Sequence, residues 1–224
     1  MKRFLPALLS ALAVSAAPIL WQAAAQQTPE QLAADVESPV NRPVGEERQA
    51  TIDRIEMALE EVRTASGRFG QINPDFSYIE GDFALQRPGR VRFDYDDPSP
   101  ILIVSDGTTV AMEDTDLETF DRVPIGRHPL KLMFDRNVDF AGNAEIVDLL
   151  VLPNEVNLTI RDLKGEVEGE LTMILDSESY QLEGWRILDA AGSSTSVQLM
   201  DVETNKRLSQ RLFRIEDPED AEDE

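Results

Sequence analysis

The side chains that carry most enzyme chemistry are scarce in this sequence. It holds one histidine, His128, and no cysteine. Without cysteine there is no disulfide, no thiolate metal site, no thiol nucleophile and no N-terminal cysteine to lipidate. His128 stands before Pro129 at what reads as a helix start, and a lone histidine there is more often a surface or capping group than a general base. No G-x-S-x-G, P-loop or G-x-G-x-x-G run occurs. Carboxylates are abundant, but most fall on the outward phase of β-strands. Asp94, Asp96 and Asp97 bring oxygen ligands together, yet their spacing fits no calcium loop, and a solvated turn is the simpler reading. Catalysis and metal binding are both poorly supplied, which leaves apolar surface as the chain's main resource.

That surface is organised around residues 81–107. Phe83 and Leu85 alternate up to the Arg87-Pro88-Gly89 turn. Val91, Phe93 and Tyr95 then share one strand face, with Arg90, Arg92 and Asp94 on the other. A short apolar run, 101–104, ends at Ser105-Asp106-Gly107, a tight-turn signal. Strict alternation marks strands with one apolar and one wetted face. Upstream, residues 47–65 carry Ile52, Ile55, Leu59 and Val62 at helical spacing and end at Ser66-Gly67. A first strand follows at 68–72 and a second at 77–86. Further strands are expected at 109–113, 117–123, 155–161, 166–175, 180–188, 195–202 and 207–215. Gly184 marks a bulge where the inward phase shifts through Leu182, Trp185 and Ile187. Residues 129–134 read as a short helix, and another helical turn is expected around 144–149. The total is about ten or eleven antiparallel strands with two or three helices, a barrel or strongly curved sheet. No repeat of 20–50 residues is visible.

Composition bounds the setting. Lys2 and Arg3 precede an apolar stretch at 4–21 and then Ala23-Ala24-Ala25, the plan of a secretory signal peptide over residues 1–25. That apolar stretch is shorter than the roughly 20 residues a membrane span needs. Residues 26–46, interrupted by Pro29, Pro39 and Pro43, read as a linker. Residues 47–218 form the domain, and 219–224 an acidic tail. The whole chain has 43 acidic and 21 basic residues, a net charge of −22. Such a surface disfavours nucleic acid and repels anionic headgroups, although acidity kept for solubility explains the charge equally well. An exported chain without cysteine fits a soluble protein of the bacterial periplasm.

The run G-D-F-A-L-Q-R-P-G-R-V-R-F-D-Y-D-D-P at 81–98, followed by I-V-S-D-G at 103–107, a hairpin, and Pro129-Leu130 opening a short helix, resembles the LolA family of periplasmic lipoprotein carriers. Gly67-Arg68-Phe69-Gly70-Gln71 matches that family's helix-to-strand junction, where F-x-Q is usual. Departures are Val110 and Met112, where aromatics are usual, and Thr119-Phe120, where a glutamine is usual. The resemblance implies an incomplete antiparallel barrel closed by helices acting as a lid. It implies a chaperone, not an enzyme, that takes acylated lipoproteins from an inner-membrane ABC-type exporter towards an outer-membrane receptor. No cofactor is expected, and the chain is expected to be a monomer. By the same resemblance Arg87 bonds lid carbonyls in the closed state. From the residues alone it serves equally well as a strand-end partner of a carboxylate such as Asp82.

Each acyl methylene withdrawn from water is worth about 0.8 kcal/mol, so a lipidated protein needs an apolar shelter to cross an aqueous space. Expected lining residues are Phe83, Leu85, Val91, Phe93, Tyr95, Leu132, Met133, Leu171 and Met173. Ordinary core packing accounts for each of them equally well. The rival readings are a carrier that also serves as the outer-membrane receptor, and a lipid-binding envelope-stress sensor on a related half-barrel.

Overall fold

The computed structural model describes residues 40–127, 131–135, 138–163 and 168–216. The expected signal peptide, most of the linker, His128 and the acidic tail lie outside the described residues. Helix α1 spans Gly45–Glu61. Six strands follow: β1 Thr64–Ile72, β2 Tyr78–Gln86, β3 Arg90–Tyr95, β4 Ile101–Asp106, β5 Thr109–Asp114 and β6 Thr119–Pro124. A 3-10 turn at Ile125–Arg127 leads to the short helices α2, Lys131–Phe134, and α3, Phe140–Asn143. The second run of strands is β7 Ala144–Val151, β8 Glu155–Asp162, β9 Glu170–Asp176, β10 Leu182–Leu188 and β11 Ser194–Thr204. A last 3-10 turn covers Gln210–Phe213.

All eleven strands belong to one antiparallel sheet in the order β6-β5-β4-β3-β2-β1-β11-β10-β9-β8-β7. Strands adjacent in sequence pair with each other, except β6 and β7, and β1 also pairs with β11 at the centre. Among the described residues β6 and β7 are edges, so the barrel is incomplete. The sheet nevertheless curls strongly. Strands β3 and β10 stand four places apart, about 19 Å in a flat sheet. Yet the rings of Phe93 and Trp185 meet edge to face with centroids 5.9 Å apart. One hydrophobic core lies on the inner side and joins Phe83, Leu85 and Phe93 to Leu158, Leu171 and Met173.

Helix α1 lays Ile52, Ile55 and Leu59 on that core. It stops four residues before the expected end, and β1 begins at Thr64 rather than at 68. The stop signal is remote. The Asn205 side chain donates to Glu61 O at 3.1 Å and accepts from Arg63 N–H at 2.9 Å, supplying the partners that a glycine cap would otherwise arrange. The bulge at Gly184 is present as a shift in pairing with β9, where a Cβ would strike the carbonyl oxygen of Val197. At Gly107, φ is +100° and Asp106 accepts from the amides of Thr108 and Thr109, as its turn signal implies.

Two expectations are corrected. Residues 144–149 are strand, not helix. A bulge between Ile146 and Asp148 shifts the inward phase, and this gives the sequence a false helical spacing. Residues 207–215 are not a strand. Ser209 accepts from the Arg211 amide to start the 3-10 turn, which lies against β3 and β4 and buries Phe213. With β11 already between β1 and β10, no free edge remains beside it for another strand.

Candidate functional site

Alternation aims Val91, Phe93 and Tyr95 of β3 inward, and the β3–β4 and β4–β5 pairings carry that phase to Ile103 and Val110. From the other side Trp185, Ile187 and Val197 of β10 and β11 face them. Together with Phe134 of α2 and Ile125, these side chains line a partly open cavity of about 260 Å³. Its wall is mainly apolar; Gln71, Thr195 and the Tyr95 hydroxyl are among the polar groups it carries. The aromatic rings hold one another edge to face: Phe69 against Phe93 at 5.2 Å and against Tyr95 at 5.0 Å, and Phe134 against Trp185 at 6.2 Å. The Tyr95 hydroxyl donates to Gln71 Oε1 at 2.8 Å. Burial pushes the Tyr95 phenol up to about 12, against a smaller opposing effect of that bond.

Arg87 closes the end of β2 under this cavity's cover. Its Nη1 donates to Met133 O at 2.7 Å and to Asp135 O at 2.8 Å, and its Nε donates to Val62 O at 2.9 Å. The Gly89 amide adds a bond to Phe134 O at 2.9 Å. Three consecutive carbonyls of the cover are thus held from the β2–β3 turn. Burial lowers the Arg87 guanidinium to about 10, partly opposed by Glu60 and Asp135, so it stays charged at neutral pH. Asp82 is not its partner; that carboxylate pairs with Arg68 at 3.1 Å. A second cavity, about 270 Å³, lies on the α1 side and is bordered by Leu59, Val62, Ala65, Leu182, Leu199 and Arg87 among others.

Of the expected lining residues, Val91, Phe93 and Tyr95 border the first cavity. Phe83, Leu85, Met133, Leu171 and Met173 do not border it. They are packed into the core at 0–7 % exposure, because other side chains cover them. The side chain of Leu132 lies outside the described residues. Ile103, Val110, Phe134 and Trp185 were missed as lining. For Ile103 and Val110 the signal was the hairpin register, which keeps them in phase with Phe93. Among the described residues no cluster of His, Asp or Glu is arranged to hold a metal, and no helix is long and apolar enough to cross a membrane. The arrangement offers apolar shelter under a cover fastened by hydrogen bonds.

The family model for the outer membrane lipoprotein carrier protein LolA matches residues 60–216. A relative named outer-membrane lipoprotein carrier protein from Legionella pneumophila (strain Corby) is 30% identical over 180 residues, 76% of this chain and 87% of that one. A protein of the same name from Halorhodospira halophila (strain DSM 244 / SL1) is 30% identical over 178 residues, 75% and 82% of the two chains. Among solved structures, the LolA superfamily protein NE2245 from Nitrosomonas europaea is matched over 73% of this chain and 97% of its own at 10% identity and a TM-score of 0.42. The matched span runs from the end of α1 through every strand of the sheet, and on that match the chain belongs to the LolA family.

Proposed function

We propose that this protein is a periplasmic chaperone that shelters the acyl chains of lipoproteins on the inner face of its sheet and carries them from the inner to the outer membrane. The observation that carries the reading is the apolar cavity bordered by Val91, Phe93, Tyr95, Ile103, Phe134 and Trp185, lying beneath a cover that Arg87 fastens. The names of the relatives agree with it. In this reading cargo comes from an ABC-type exporter in the inner membrane and passes to an outer-membrane receptor.

Exchange needs a site that holds grease without trapping it. Burial of apolar area yields about 25 cal/mol per Å², while each bond that Arg87 makes to the cover opposes opening. Acyl contacts therefore offset broken polar bonds, and the balance between them sets how readily cargo leaves. A transfer assay tests the reading. The protein should draw a triacylated lipoprotein from inner-membrane vesicles into solution and yield it to outer-membrane vesicles. Failure to hold the lipoprotein in solution would end the carrier reading.

A further inference from the structure

Helix α1 carries Glu56 and Glu60 one turn apart, near the end of the helix where its dipole is negative and where no basic residue stands. Like charges at that spacing, and acids in a last turn, both disfavour a helix. Such a local conflict marks a tertiary task. Both carboxylates reach across to the stretch that enters α3. Glu60 accepts from the Val138 amide at 3.0 Å, and Glu56 accepts from the Phe140 amide at 2.8 Å. Val138 and Phe140 are themselves buried, at 4 % and 1 %. The two ends of the cover are therefore gripped in opposite senses. Donors on the β2–β3 turn hold carbonyls 133–135, while acceptors on α1 hold amides 138 and 140.

We propose that Glu56 and Glu60 are positioning residues of the carrier: they clamp residues 138–140 to α1 and fix the end about which the cover turns, so that opening starts at the Arg87 end. This rests on the carrier reading. The geometry favours that order. Phe140 opens α3, which runs directly into β7, so the chain leaving the clamp continues in the sheet. At the other end, Arg87 and Gly89 hold the carbonyls of 133–135 from the β2–β3 turn, while the Met133 and Phe134 side chains pack into the core. The groups facing Glu56 are Asp53 and Glu60 on its own helix and Asp139 opposite, and Arg87 faces Glu60. Burial, with those acids behind it, raises the Glu56 pKa, so its charge costs something in the closed state. A neutral acceptor of the same shape should hold the Phe140 amide as well as the native side chain does.

Residue-resolved hydrogen exchange on the full chain, free and loaded with a fluorescent 16-carbon fatty acid, tests this. In the free protein, Glu56→Ala should speed exchange at Phe140, and Glu60→Ala at Val138, by about tenfold, the scale of a lost charge-assisted bond. Glu56→Gln should restore Phe140 to within roughly twofold, a rescue that a merely structural role of the helix would not give. Amides in β8 and β9 serve as the folding reference. In the loaded wild-type protein, Gly89 should lose protection while Val138 and Phe140 keep theirs. Equal loss at both ends, or no effect of the alanine variants, would overturn the clamp. If the wild-type protein takes up no fatty acid, the carrier reading fails instead, and the free-protein comparison still decides whether the clamp exists.

Discussion

On the β8–β9 wing of the sheet the inward side chains Val156, Leu158, Ile160, Leu171, Met173 and Leu175 are 0–1 % exposed. On the β3–β6 wing the same alternation ends in unfilled space. Val91 and Phe93 border the cavity, Ile103 and Val110 are only partly buried, and Met112 and Val123 are 42 % and 45 % exposed. The difference lies in what covers each wing. The 17-residue helix α1 reaches from β7, where Arg48 donates to Ile146 O at 3.3 Å, to the far end of β11, where Asn205 caps it. Among the described residues the opposite wing has the four-residue α2 and a 3-10 turn above it. One sheet can therefore be solid on one side of its centre and hollow on the other with no change in strand pattern.

Stability should report that contrast most strongly. Leu158→Ala, in the packed wing, should cost about 2–5 kcal/mol in urea unfolding. Ile103→Ala, beside existing space, should cost about 1 kcal/mol or less. Equal losses would mean that the hollow wing is packed after all. Small-to-large changes should reverse the ranking. Val156→Phe overpacks a filled site and should cost about 1–3 kcal/mol. Val110→Phe should be nearly neutral in stability but weaken binding of a fatty-acid probe, because it occupies the cavity.

Arg87→Leu strips donors from Val62 O, Met133 O and Asp135 O. Leaving them short should cost about 1–3 kcal/mol and speed exchange at the Gly89 amide. In a transfer assay it should change handover of lipoprotein between membranes, and unchanged loading and release would refute the fastening role. The smallest effect concerns pH. A phenol whose pKa is raised by folding contributes fully below its unfolded value near 10, and its contribution is lost as pH rises through about 12. Tyr95→Phe should remove that alkaline component from the stability profile while leaving stability at neutral pH within about 1 kcal/mol.

The sequence made much of the sheet legible because side-chain alternation is a local property. Val91-Arg92-Phe93-Asp94-Tyr95 and Val156-Asn157-Leu158-Thr159-Ile160 each declare a strand and its inner face. The bulge at Gly184 and the turn at Gly107 were readable for the same reason. What was not readable depends on distant partners. Asn205 ends a helix about 140 residues before it. The bulge in β7 disguises a strand as a helical turn. Phe213 turns to the sheet's outer side, so 207–215 shows hydrophobic content without being a strand. The same limit separated lining from core. Phe83 and Phe93 carry the same residue type in the same phase, directly opposite each other on neighbouring strands, yet only Phe93 borders the cavity.

The cavity's occupant can be read directly through Trp185, which forms part of its wall. The chain has two tryptophans, so Trp21→Phe leaves Trp185 alone. Titrating that variant with a triacylated lipopeptide whose acyl chains carry a doxyl group should quench Trp185 emission in a saturable way, and Val110→Phe should weaken the effect. Binding of the lipopeptide without quenching would place the acyl chains elsewhere, and no binding at all would contradict the account.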